Sequence, residues 1–270
     1  MTIFSTAVVA LATLAACAGS EVNEGPPPSS QPASRPASPG TAVALLDRLE
    51  TATEGLRDFR ADVTFFKWDD VLQRREIRSG EIVYQQRPDD QSTRFAILVT
   101  RQIIANRQDD QNKRYIFDGS WFVEIDYDNR VFIKRQIVPP GKRFDPLALG
   151  EGPFPLPLGQ RRDEVLARFE VSLLDGSSDK GLDAFLAGKS VLGLLLVPKP
   201  STTQAREIVQ VEIFYDAATL LPVGIHLTET SGDRKTVLLR NLRRNEGIDE
   251  STLSIEQPDG FDVDVIPWRD

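Results

Sequence analysis

Cysteine and histidine, the side chains best suited to nucleophilic, metal-binding and proton-transfer chemistry near neutral pH, occur once each in this 270-residue chain, as Cys17 and His226. His226 lies in the stretch LPVGIHLTET, with no cysteine and no second imidazole beside it. A metal centre or a Ser/His/Asp relay needs such partners, so a structural or surface role is expected for His226. Adjacent acids, Asp69-Asp70, Asp89-Asp90 and Asp109-Asp110, fall in expected turns, where neighbouring carboxylates are solvated. A hydrolytic pair needs two carboxyls held across a cleft at a set gap. Neither standard glycine-rich phosphate loop is present. The sequence therefore points away from an enzyme and calls for no cofactor and no metal.

Cys17 has a different setting. The first sixteen residues, MTIFSTAVVALATLAA, carry no charged side chain. This apolar run is too short for a permanent membrane helix, which needs roughly 20 residues. It suits the core of a secretory signal, roughly 7–15 residues long. Leu14-Ala15-Ala16-Cys17 resembles a bacterial lipobox, in which the cysteine sulfur accepts a lipid and the residue becomes the new N-terminus. Ordinary cleavage at the small-x-small site Ala16-Cys17-Ala18, or a cysteine without any role, are the competing readings. As an attachment point a lone cysteine makes sense, and the exported part would hold no disulfide. Ala18 is not acidic, which favours retention at the outer rather than the inner membrane. Residues 18–40 are rich in Pro, Ser, Ala and Gly and contain no aromatic residue, as a solvated tether should. The expected organisation is a signal peptide over 1–16, a lipid-anchored linker over 17–40 and one folded domain over 41–270.

The net charge of −8 argues against nucleic acid, which would call for a basic face. Apolar residues make up 40% of the chain, enough for a packed core. Helical spacing of Ala42, Leu45, Leu46, Leu49, Thr53 and Leu56 predicts a helix over 42–57, with Thr41 as N-cap. The period then changes to two at Phe59, Ala61, Val63 and Phe65. Further strands are predicted over 72–85, 93–101, 114–118, 121–127, 130–138, 169–174, 190–197, 206–215, 222–230, 234–242 and 252–256. Gly80, Asp118-Gly119, Asp128-Asn129 and Ser231-Gly232 read as turns between them. Short helices are predicted at 161–168 and 180–188. Such strand succession means antiparallel hairpins rather than βαβ units. Residues 139–160 combine Pro and Gly with Phe144, Leu147, Leu149, Phe154, Leu156 and Leu158, too apolar for a solvated loop and suited to a lid over the sheet.

Four pieces in order resemble the outer-membrane lipoprotein carrier family, the LolA/LolB-like proteins. They are the helix followed by LRDFRADVTFF, then RSGEIVYQQRP, then YIFDGSWFVEIDYD, and last VEIFYDAATLLPVGIHLTETSGDRKTVLLRNLRRNEGIDESTLSIEQPDGFDVDVI. The resemblance implies a mainly β (α+β) fold: a half-open, strongly curved antiparallel β-barrel with an N-terminal helix and lid helices or loop. It implies an apolar hollow for the acyl chains of lipoproteins or lipids, where each buried CH₂ contributes about 0.8 kcal/mol. The family arginine that latches the lid corresponds to Arg87, beside Pro88; the alternative is an edge-of-strand surface residue. Phe66, Trp68, Ile82, Tyr84, Phe95 and Ile97 are the expected cavity residues, although strand parity leaves open which face is concave. Two features depart from the soluble carriers: an anchor at Cys17 and a longer, proline-rich middle. The expected partners are acyl chains, the bacterial membrane through Cys17 and lipoprotein-export machinery. The alternative is an envelope sensor or scaffold that uses the same fold to bind a protein.

Overall fold

In the computed structural model, which describes residues 39–52, 54–86, 93–139 and 161–268, twelve strands form a single curved sheet that stays open. Helix α1 (Pro39–Ala52) leads into a meander of β1 (Asp58–Asp69), β2 (Arg74–Gln86), β3 (Thr93–Ile104), β4 (Arg107–Phe117), β5 (Trp121–Asp126) and β6 (Val131–Gln136). Helix α2 (Arg162–Arg168), β7 (Phe169–Leu174), helix α3 (Lys180–Leu186), β8 (Val191–Pro198), β9 (Ile208–Asp216), β10 (Pro222–Glu229) and β11 (Arg234–Arg244) form the second run. Antiparallel pairing of β1 with β11 joins the two runs, and β12 (Asp262–Ile266) adds to the β6 edge in parallel. The strand order is β12-β6-β5-β4-β3-β2-β1-β11-β10-β9-β8-β7.

Twelve strands at roughly 4.8 Å spacing would span about 50 Å if flat. Yet Phe117 of β4, Phe122 of β5, Phe169 of β7 and Leu194 of β8 belong to one apolar cluster with Leu45, Leu46 and Leu49 of α1. The sheet therefore curves around this face, which is the inner one. On the other face the apolar residues fall into two separate patches. One joins Val83, Ala96, Ile116, Val123 and Phe132 to Leu253 of the crossover that follows β11. The other joins Phe214, Val223 and Leu238 to Leu182 and Leu186 of α3. Asp179 caps α3 by accepting a hydrogen bond from the Leu182 N–H at 2.8 Å.

Several expectations are corrected. The first helix begins at Pro39, so Thr41 lies inside its first turn rather than capping it; proline fits a first helical turn because its missing N–H is not needed there. The helix stops at Ala52, ahead of Gly55 at φ +77°. The Asn245 side chain holds this exit, donating to the Gly55 carbonyl at 3.0 Å and accepting from the Arg57 N–H at 2.8 Å. Leu56 is still buried, but from the connection into β1. Gly80 is not a turn: it lies within β2, where a Cβ would meet the Leu98 carbonyl oxygen at 1.8 Å. The bulge in β3 between Val99 and Arg101 brings that backbone close. The β3–β4 turn is Ala105-Asn106, both at positive φ, so Asp109-Asp110 lie within β4. The segment at 252–256 is not a strand. Glu250–Leu253 forms a 3₁₀ turn capped by Asp249, and its alternating Leu253 and Ile255 pack on the outer face instead of entering a ladder. The last strand is β12, with Val263 and Val265 exposed.

Candidate functional site

Register on the inner face of β1–β5 sorts the side chains into cross-strand rows. The innermost row is wholly aromatic: Phe59, Tyr84, Phe95, Phe117 and Phe122 stand opposite one another in sequence. Phe59 and Tyr84 lie 5.6 Å apart between ring centroids, and Phe95 and Phe117 lie 5.8 Å apart. The next row is Ala61, Ile82, Ile97, Tyr115 and Glu124. A third follows with Val63, Gly80, Val99, Lys113 and Asp126, and a fourth with Phe65, Arg78, Gln102 and Asp109. The face thus grades from apolar beside β1 to polar across β4 and β5. Each row exists because alternate residues of every strand point to the same side.

The polar corner has its own electrostatics. Lys113 Nζ meets Asp126 at 2.7 Å. Burial alone would raise the Asp126 carboxyl, but hydrogen bonds from Lys113 and Asn129 outweigh it and hold the group below the usual range. Burial works against the Lys113 ammonium, and Asp126 more than restores it, so the ammonium titrates higher than usual. Arg78 Nε donates to Glu76 Oε1 at 2.6 Å, and Gln102 Nε2 donates to the same oxygen at 2.6 Å. Burial and the charge of Glu124 push the Tyr115 hydroxyl up, against Arg78 and Lys113. Glu124, directly opposite Tyr115, is half-buried and has no hydrogen bond or ion pair among the described residues.

Four of the expected cavity residues, Ile82, Tyr84, Phe95 and Ile97, are brought together on this face. Phe66 is not: it packs in the outer patch under α3, because Phe65 takes the inward position beside it. Trp68 is outward as well. It lines a hollow of about 260 Å³ with Arg74, Arg75, Ile77 and Ile103, and the Arg234 guanidinium sits 5.3 Å from its ring centroid. Cys17, Arg87 and the lid residues Phe144, Leu147, Leu149 and Phe154 lie outside the described residues. Phe59, Phe117, Phe122, Tyr115, Arg78 and Glu124 share this face but are not among the expected cavity residues. The Asp118-Gly119 hairpin could have paired Phe117 with Phe122 and Tyr115 with Glu124, but only the register of the other strands gathers the whole rows.

His226 lies on the outer side of β10, 2% exposed, with Nδ1 2.9 Å from Thr236 Oγ1 and 4.0 Å from Asp179 Oδ2. Burial lowers its pKa; Asp179 and Glu212 oppose this, and Arg234 adds to it. Glu212, opposite His226 on β9, accepts hydrogen bonds from Ser177 Oγ at 2.7 Å, the Ser178 N–H at 3.0 Å and Gln210 Nε2 at 3.1 Å. Every partner is structural, and together they fasten the α3 entry to the sheet. Among the described residues no group of His, Cys, Asp and Glu could hold a metal ion, and no helix is long and apolar enough to cross a membrane.

No protein-family model and no curated protein sequence matches the chain. Solved structures do. An uncharacterised conserved protein from Thermus thermophilus matches at TM-score 0.45 and 10% identity, over 84% of this chain and 99% of the other. The Pseudomonas aeruginosa MucA/MucB complex matches at TM-score 0.44 and 17% identity, over 79% of this chain; the match spans 60% of the length of that chain. The Mycobacterium tuberculosis lipoprotein LppX matches at TM-score 0.44 and 11% identity, over 78% of this chain and 99% of the other.

Proposed function

We propose that this chain is an exported protein, lipid-anchored through Cys17 at the periplasmic side of the outer membrane. On this reading it holds the acyl chains of lipoproteins or lipids against its inner face and aids outer-membrane lipoprotein localisation. No bond is made or broken in that role, so affinity and release depend on uncovering the face. The observation that carries the reading is the continuity of the inner face: aromatic and aliphatic rows from β1 to β5 merge with those of β7 to β11 in one cluster. Acyl chains make no hydrogen bonds, so an extended apolar face suits them. Ile137 and Val138 on one side of residues 140–160, and Val165 and Leu166 on the other, belong to the same cluster. This supports a role for Phe144, Leu147, Leu149 and Phe154 as its cover. Arg87 is proposed to latch that cover.

The test is native mass spectrometry of the full chain, titrated with a diacyl lipopeptide. Acyl adducts are expected, and Arg87→Leu should change the apparent affinity or the rate of release. Clean protein that ignores the lipopeptide would turn the reading to a sensor or scaffold. One observation favours that second role: Leu45, Leu46 and Leu49 of α1 already occupy part of the inner face. The anchor is tested separately. Cys17→Ser should move the protein from the membrane fraction to the soluble one, and continued membrane association would remove the anchor from the proposal.

A further inference from the structure

The inner face offers more than a place for hydrocarbon. Its β4–β5 corner holds a half-buried carboxylate, Glu124, that takes no partner among the described residues. Its cross-strand neighbours are the Tyr115 ring, stacked on Phe122 at 6.2 Å, and Ile133. Partial removal of a charge from water costs free energy unless another group compensates. The other acids of the corner are all engaged: Glu76 with Arg78 and Gln102, Asp126 with Lys113 and Asn129, and Asp109 with Arg107. Two cations are diagonal to Glu124 on this face, Lys113 on β4 and Arg135 on β6, and Arg78 lies on β2, three strands away. Arg78 uses Nε for Glu76, and its terminal nitrogens take no partner among the described residues. The charges of Arg78 and Lys113 are both felt at Tyr115.

We infer that this corner reads the headgroup of an amphiphile whose tails lie on the aromatic and aliphatic rows, and that the headgroup carries a phosphate and a primary amine. The inference rests on the acyl-chain reading above. The ammonium goes to Glu124, the one inward-facing acid of the corner with no partner among the described residues. The phosphate goes to Arg78 and Lys113, whose N–H donors make charge-assisted bonds to phosphate oxygens. The rows set the polarity: Glu124 stands one same-face position beyond Phe122 of the aromatic row, and Lys113, Asp126 and Arg78 lie further from that row. Binding then pairs a carboxylate that has no partner among the described residues.

The test uses the full chain and three probes with identical acyl chains: phosphatidylethanolamine, phosphatidylglycerol and diacylglycerol. Affinities are read by native mass spectrometry or by displacement of a fluorescent fatty acid. Phosphatidylethanolamine should bind about tenfold more tightly than phosphatidylglycerol, the worth of one charge-assisted pair. Glu124→Gln, which keeps the shape and breaks no hydrogen bond or ion pair among the described residues, should bring the two phospholipids level without weakening phosphatidylglycerol. Arg78→Gln should weaken both phospholipids while diacylglycerol is unchanged. Equal binding of the two phospholipids by the unaltered protein, or a preference that survives Glu124→Gln, overturns the headgroup inference and leaves the acyl reading standing. Failure of all three probes to bind sinks the acyl reading, and the headgroup inference with it.

Discussion

The two faces of this sheet solve the same problem in different ways. On the outer face apolar residues are divided into two patches, and each is closed by a dedicated piece of the chain, α3 over one and the crossover after β11 over the other. Polar groups fasten both covers: Asp179, Glu212 and His226 at the α3 entry, Arg94 and Asp249 at the crossover. The inner face is one continuous apolar field with a polar corner, where Glu124 has no hydrogen bond or ion pair among the described residues. Closed patches belong to architecture; a continuous apolar face is what the proposed acyl-chain binding would use.

Truncations on the two faces separate these roles, and they carry the largest expected effects. Phe95 and Leu182 are both fully buried, one in the aromatic row and one under α3. Phe95→Ala should cost about 3–5 kcal/mol and Leu182→Ala about 2–5 kcal/mol in urea unfolding, through lost burial and a residual cavity. Only Phe95→Ala should also change the affinity for an acyl probe. An equal change in Leu182→Ala would break the distinction between the faces. The α3 cover sits close to the sheet: a Cβ at Gly224 would meet Leu182 Cδ1 at 2.4 Å.

A smaller effect should come from acid. Burial holds His226 below its ordinary value of 6.5, so near that pH the unfolded chain binds a proton that the folded chain refuses. Stability is then full above the ordinary value and falls as the pH drops through it. Hydrogen exchange at about pH 7.5 and about pH 5.5 should show the α3 amides opening more readily in acid, with the β2–β4 amides of the inner face much less affected. His226→Gln, which retains a hydrogen-bonding group, should flatten that pH dependence. A uniform response across both faces would mean that the α3 fastening is not the acid-sensitive element.

Much of this architecture is legible in the sequence because burial leaves a period. The strand alternation at Phe59, Ala61, Val63 and Phe65 marks an inward face, and the turns at Asp118-Gly119 and Ser231-Gly232 fall where the chain reverses. What is lost is whatever depends on partners distant in sequence. Gly80 reads as a turn because glycine has two uses, and only the approach of the Leu98 carbonyl shows which one applies. Leu253 and Ile255 alternate as a strand would, yet they answer to the outer patch. Ile82, Tyr84, Phe95 and Ile97 share a face as their parity suggests, whereas Phe66 and Phe65 differ only by which of two adjacent positions faces inward. Tyr115 and Glu124 face each other across the Asp118-Gly119 hairpin, yet nothing in their residue types marks the pair as part of a site.

The smallest expected effect asks what holds the second outer cover. Arg94 is nearly buried and bonds Glu250, whose side chain is 69% exposed, while Leu253 beside it is 3% exposed. An ion pair with one solvated partner contributes about 0–1 kcal/mol and is screened by salt. Burying a leucine contributes about 1.5–3 kcal/mol and does not depend on salt in that way. Glu250→Gln should therefore lower stability by no more than about 1 kcal/mol in dilute buffer, with the difference shrinking at about 1 M salt. Arg94 keeps a second bond, from Nε to Gln85 Oε1 at 2.6 Å, so the substitution does not strand a buried cation. A loss of several kcal/mol that persists in salt would mean that the crossover is fixed by charge. The outer face would then share the electrostatic character assigned here to the inner corner.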